Sequence, residues 1–182
     1  QAITDGVNVI NFSVSGGARA GLAGDGLMLS RTQPRPPETP HATLAELQDP
    51  IIDAYLAALP PGRAPRIVAS RSVFVAETRA DALRLADVGL RTAVRRFIDR
   101  GHRVPGDKLS DLVKAFDVHV GTPQEVIASL RADRTLARAT DLAVQVHSID
   151  PPHSWILRSI ELVAREVAPA FGWRPARDHD PR

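Results

Sequence analysis

Four stretches of the chain are short apolar runs of strand length, and patterns of helical period lie between and after them. The strand-like runs are VNVINFSV (7–14), GLMLS (26–30), RIVASRSVFVAE (66–77) and DLAVQVHS (141–148). Helical patterns cover GARAGLAG (17–24), LAELQDPIIDAYLAAL (44–59), RADALRLADVGLRTAVRRFIDRG (79–101) and SWILRSIELVAREVAPAF (154–171). Two more helical segments fall between the third and fourth strands. The second opens with Thr122 as N-cap, Pro123 at the first helical position and Glu125 completing a Thr-x-x-Glu capping box. The proline-rich RTQPRPPETPH (31–41) suits neither a regular helix nor a central strand and is expected to be a loop. Alternation of strand and helix predicts an α/β fold of four parallel strands joined by right-handed crossovers. Periodicity leaves open a doubly wound sheet or part of an eight-stranded barrel.

Composition narrows the chemistry. The 182 residues are 43% hydrophobic and 24% charged, a globular profile, and no apolar run approaches the ~20 residues of a membrane-spanning helix. A cytoplasmic location is the expectation, with no membrane partner. The absence of cysteine excludes disulfides, thiol catalysis and cysteine-based zinc sites. A net charge of +2 is too small to point to nucleic acid. The basic segment with Arg91, Arg95, Arg96, Arg100 and Arg103 is expected to be a solvated helix face and its exit, since no stacking aromatics accompany it. Neither a His-Glu-x-x-His motif nor a Gly-x-Ser-x-Gly nucleophile elbow is present, and no metal site is expected. The chain begins with Gln1 and its only methionine is Met28, so it is expected to begin elsewhere than at a translation start.

In parallel α/β architectures ligand groups gather at the carboxyl ends of the strands. Asn11, Ser13 and Ser15 follow the first strand, Ser30, Arg31 and Thr32 the second, Glu77 and Thr78 the third, and Gln145, His147 and Ser148 close the fourth. Alternation along the fourth strand turns Gln145 and His147 toward one space. Ser30, Arg31, Gln145 and His147 are therefore the candidates for a substrate pocket. Arg71, inside the third strand, must find a carboxylate or a ligand anion, and a structural ion pair is expected. The turn Ser13-Val14-Ser15-Gly16-Gly17 leads into a helix with Arg19 just inside. Hydroxyls, free backbone N–H groups and a helix start suit a phosphate; the same residues also suit an ordinary turn and N-cap.

A resemblance adds to this. The run FSVSGGARAGLAGDGLMLSRTQPRP, then RIVASRSVFVAET with its helix RADALRLA, HVGTPQEVIASL, the strand DLAVQVHS and a final helix ending EVAPAFG resemble the C-terminal half of bacterial luciferase-like flavin monooxygenases. The resemblance implies the last four strands of a (β/α)8 TIM barrel over residues 1–175; the charged, proline-containing terminus itself is expected to be a disordered tail at 176–182. It implies reduced FMN as co-substrate, with Ser13, Ser15, Gly16 and Gly17, and also Arg19, as the cofactor-binding residues around the FMN phosphate. The implied partners are a small organic substrate, dioxygen and a flavin reductase as the source of reduced FMN, with a homo-oligomer as a further possibility. Catalytic side chains belong mostly to the first four strands, so none is assigned here, and this part alone is expected to be inactive. A deazaflavin-dependent oxidoreductase of the same barrel superfamily and a non-catalytic flavin-binding or oligomerisation module stand as alternatives.

Overall fold

The computed structural model describes residues 9–11, 17–33, 35, 36, 38–99, 101, 104, 106–146 and 150–172. Five strands and six α-helices alternate along it: β1 (Val9–Asn11), α1 (Gly17–Ala23), β2 (Gly26–Leu29), α2 (Leu44–Ala58), β3 (Ile67–Val75), α3 (Arg79–Asp99), α4 (Leu109–Ala115), β4 (Val118–Gly121), α5 (Pro123–Ala132), β5 (Asp141–Gln145) and α6 (His153–Leu162). The α/β class is as expected. One expectation is corrected: the count is five strands, because β4 lies between the two helical segments that separate the third and fourth predicted runs, and it hydrogen-bonds to β3. The segment Val118–Gly121 holds only two apolar residues, separated by a histidine, whereas the equally short Gly26–Leu29 holds three in a row. Among the described residues no helix is long and apolar enough to cross a membrane.

The chain divides into two compact units. Gln1–Ser72, Phe116–Val118 and Leu130–Gln145 form one; Val73–Ala115, His119–Ser129 and Val146–Arg182 form the other.

In the first unit β1, β2, β3 and β5 pair side by side, all parallel, with Ile10 beside Leu27, Leu27 beside Ile67, and Ala69 beside Leu142. Parallel pairing follows from the intervening helices, since a two-residue hairpin cannot return a strand in the same direction. Leu27, Leu29 and Ile67 turn one face of the sheet toward Ala20 of α1 and toward Ile51, Ile52 and Tyr55 of α2, forming the core. Burying each large aliphatic side chain there contributes roughly 1.5–3 kcal/mol. Helix α2 begins at a full capping box, with Thr43 Oγ1 accepting from the Glu46 N–H at 3.2 Å and the Glu46 carboxylate accepting from the Thr43 N–H at 2.7 Å. It continues through Pro50, whose missing N–H would have met the Glu46 carbonyl; both residues are exposed, which leaves that carbonyl open to water. Tyr55 ties the layer together: its hydroxyl donates to the Asp25 carbonyl at 2.9 Å and accepts from the Arg66 N–H at 3.1 Å.

The second unit buries Val73, Phe74 and Val75 from the end of β3 with Ala82, Leu85 and Leu90 of α3, Val126 of α5 and Leu162 of α6. Ser159 Oγ accepts from the Val75 N–H at 2.9 Å, satisfying a buried backbone donor. The predicted cap of α5 is present: the Thr122 N–H donates to Glu125 Oε2 at 2.9 Å and the Glu125 N–H to Thr122 Oγ1 at 3.4 Å. Glu77 and Thr78, expected on the ligand rim, serve structure instead. Glu77 pairs with Arg158 of α6, and Thr78 Oγ1 accepts from the Asp81 N–H at 3.1 Å at the start of α3. Arg91 of the basic segment pairs with Asp87 on an exposed helix face, while Arg100 and Arg103 lie outside the described residues. The last helical pattern changes type part-way, with α6 passing into a π-helical stretch at Val163–Val167 and a 3-10 turn at Ala168–Phe171.

Candidate functional site

Strand β3 presents two kinds of face within the first unit. Ile67, Ala69 and Arg71 point to the helices, whereas Val68, Ser70 and Ser72 point the other way, as alternation requires. Parallel register sets Ser72 beside Gln145, so both side chains project from the face opposite the helices. Arg31, just past the end of β2, reaches back to the same place, donating from Nη1 to Ser72 Oγ at 3.1 Å. Two of the predicted pocket residues, Arg31 and Gln145, thus flank one serine. Ser72 itself was not among the expected residues, although Ser70 and Ser72, spaced i, i+2 on either side of Arg71, already signal a polar stripe on one face of the strand.

Ser30 fixes the geometry rather than joining the group. Its hydroxyl accepts from the Thr32 N–H at 3.3 Å, closing a local turn, and its carbonyl accepts from Gln48 Nε2 at 2.7 Å. His147 lies outside the described residues.

Behind this face sits a buried polar chain. Gln48 Oε1 accepts from Arg71 Nη2 at 3.0 Å, Ser70 O accepts from Nη1 at 2.8 Å, and Asp133 Oδ2 accepts from Nε at 2.5 Å. Arg71 therefore has the carboxylate that its place in a strand demands. One helix residue, Gln48, contacts both the buried ion pair and the backbone that carries Arg31.

The proline-rich loop is held at its other end by Arg35, which donates to Gln33 O, to Ala42 O and, from Nη2, to Asp117 Oδ1 at 2.6 Å. Asp117 has φ of 50°, and its Oδ2 is buried without a hydrogen bond. Burial pushes its carboxyl above the ordinary aspartate value, and the ion pair with Arg35 offsets only part of that. A raised pKa means that this group's stabilising contribution is present below the unfolded value and is lost as pH rises through the folded one. Asp117→Asn keeps an acceptor for Arg35, and asparagine is among the side chains most tolerant of positive φ. Relative to the parent chain, Asp117→Asn should therefore gain stability as pH increases from 4 to 7, as read from urea midpoints across that range; a constant difference would refute the assignment.

At the other predicted site, Ser13, Ser15 and Gly16 lie outside the described residues. Gly17 opens α1 and is buried, with no room for a side chain: a Cβ there would lie 2.3 Å from Ile51 O. Its glycine identity thus has a packing cause. Arg19 is exposed on the first turn of α1.

No protein-family model matches the chain, and no curated protein matches it. Solved structures do. Apo-MsnO8 is 22% identical with a TM-score of 0.57, covering 92% of this chain and 51% of its own. The oxygenating constituent of 3,6-diketocamphane monooxygenase from Pseudomonas putida, a type II Baeyer-Villiger monooxygenase solved with FMN, is 21% identical with a TM-score of 0.54, covering 89% and 47%. Monooxygenase RslO1 from Streptomyces bottropensis is 24% identical with a TM-score of 0.54, covering 90% and 47%. The chain has their fold. Two of these three are monooxygenases by name, and the chain spans about half the length of each of the three. The open parallel sheet accordingly has the fold of part of a (β/α)8 barrel, with Arg31 just past the end of β2 and Gln145 closing β5.

Proposed function

We propose that the chain is the C-terminal portion of a flavin-dependent monooxygenase that uses reduced FMN and dioxygen to oxidise a small organic substrate. The observation that carries this reading is the shared fold along nearly the whole chain, with FMN bound in one of the neighbours. The donor set suits the cofactor: serine hydroxyls at 13 and 15 precede a helix whose first turn has an exposed arginine, a composition fit for phosphate. Ser13, Ser15, Gly16 and Arg19 would hold that phosphate, while Gly17 seats the helix close to α2. The flavin, when bound, supplies the oxidation chemistry.

The chain's own residues bind and orient. Gln145 offers a neutral hydrogen-bonding group, and Arg31, held by the buried Ser72 hydroxyl, adds a fixed positive charge beside it. Gln48 and Arg35 hold the loop that carries Arg31. Catalytic side chains, and hence turnover, belong to the part of the barrel that this chain lacks. A flavin reductase would supply reduced FMN, and a homo-oligomer is compatible with the open sheet.

Flavin binding by the chain tests the reading. Titration with the chain should quench FMN fluorescence, riboflavin should bind at least ~10-fold more weakly, and Ser13→Ala/Ser15→Ala should lose most of the FMN preference, as expected for charge-assisted phosphate hydrogen bonds. Equal affinity for FMN and riboflavin, or an unaffected double variant, would remove the phosphate assignment.

A further inference from the structure

Arg31 differs from every other desolvated arginine among the described residues. Arg35 pairs with Asp117, Arg71 with Asp133, Arg138 with Asp49 and Asp53, and Arg158 with Glu77 and Glu161. Arg31 is half-buried, as are all of these but the fully buried Arg71, yet its contact among the described residues is one serine hydroxyl. A guanidinium has five N–H donors and cannot shed its charge, so withdrawing it from water without an anion costs free energy. That cost is borne here by a loop fastened on both sides, by Gln48 to the Ser30 carbonyl and by Arg35 to Asp117. Burial also lowers the Arg31 pKa, in keeping with a cation that has no carboxylate partner among the described residues.

We propose that Arg31, positioned by the buried Ser72 and flanked by Gln145, forms an oxyanion subsite that selects a substrate carrying a carboxylate or sulfonate group. The geometry suits that chemistry. Arg31 supplies a planar set of donors, Gln145 on the neighbouring strand adds an amide at the level of Ser72, and the fully buried Ser72 hydroxyl accepts from Arg31 and so fixes where the guanidinium sits. The subsite rests on the reading of this rim as the substrate side of the barrel, and it is separate from the residues proposed for the FMN phosphate.

Two sources could provide the oxyanion, a substrate acid or the phosphate of FMN, and the test separates them. The chain, labelled with nitrogen-15, is titrated with butanesulfonate, with its neutral counterpart butanesulfonamide, and with FMN and riboflavin, while the arginine Nε–H signals are followed by NMR. The Arg31 signal is assigned by its loss in Arg31→Gln. Butanesulfonate should move that signal saturably and butanesulfonamide should not. Arg31→Gln should weaken butanesulfonate binding by ~10-fold or more, with Arg31→Lys keeping part of it, in line with the strength of a charge-assisted pair. FMN affinity should be unchanged in Arg31→Gln. A static Arg31 signal under butanesulfonate overturns the proposal, and so does a signal that FMN moves and riboflavin does not, because Arg31 would then serve the cofactor. Failure of FMN to bind, with the butanesulfonate response intact, would count against the flavin reading and leave the oxyanion subsite standing.

Discussion

Asp133→Ala should cost the chain about 3–5 kcal/mol, a large share of the ~5–15 kcal/mol that holds a typical domain together. Arg71 is fully buried, and its ion pair with Asp133 is 2.5 Å long. Its other two contacts, Ser70 O and Gln48 Oε1, are neutral acceptors and cannot balance a full charge. Truncating Asp133 therefore leaves an uncompensated cation in the interior and also removes the acceptor at Asp133 Oδ1 for the Thr135 N–H. The effect belongs to the stranded charge more than to the lost contact. Arg71→Met/Asp133→Ala should consequently be less destabilised than Asp133→Ala alone, a departure from additivity that marks coupled groups. Urea denaturation of the single and double variants decides this. If the double variant loses as much as the two singles summed, the buried charge is not what makes Asp133 necessary.

The same strand shows what a sequence discloses and what it hides. Arg71 within an apolar run announces a missing partner, since few side chains are so costly to bury alone, and the structure supplies one. The Thr122–Glu125 box is equally legible, because a cap is a four-residue event that needs no distant partner. Ser72 was hidden by long-range register. The third apolar run continues to position 77, which sets the expected rim at Glu77 and Thr78, whereas pairing with β5 ends at Ser72 beside Gln145. Composition says where a strand can exist; only the partner's length says where its ligand-facing end lies. The Arg35–Asp117 pair, 82 positions apart, is invisible for the same reason. The turn at 13 to 16 carries the clearest sequence signal for a phosphate, but it lies outside the described residues, so that part of the site rests on chemistry and resemblance.

Replacing Gly17 and Gly21 with alanine should unseat α1, with a cost of about 1–3 kcal/mol at each position. The two glycines lie one helical turn apart on one face, and Ile51 and Tyr55 lie one turn apart on α2. A Cβ at Gly17 would stand 2.3 Å from Ile51 O; one at Gly21 would stand 2.4 Å from Tyr55 O and 2.9 Å from Ala58 Cβ. Those obstacles are chiefly backbone carbonyls, which cannot rotate aside as a side-chain end can, so the helix itself must shift. Intrinsic propensity argues the other way, since alanine in a helix gains roughly 0.5–1 kcal/mol over glycine. The sign of the measured change thus distinguishes the two causes: a more stable Gly17→Ala/Gly21→Ala chain would mean that the close approach of α1 and α2 is not holding the layer. The consequence for function follows from chain order. Ser13, Ser15 and Gly16 lead directly into Gly17, so displacing α1 displaces the residues proposed to hold phosphate. At temperatures where the double variant is still folded, its FMN affinity should fall while the butanesulfonate response at Arg31 persists.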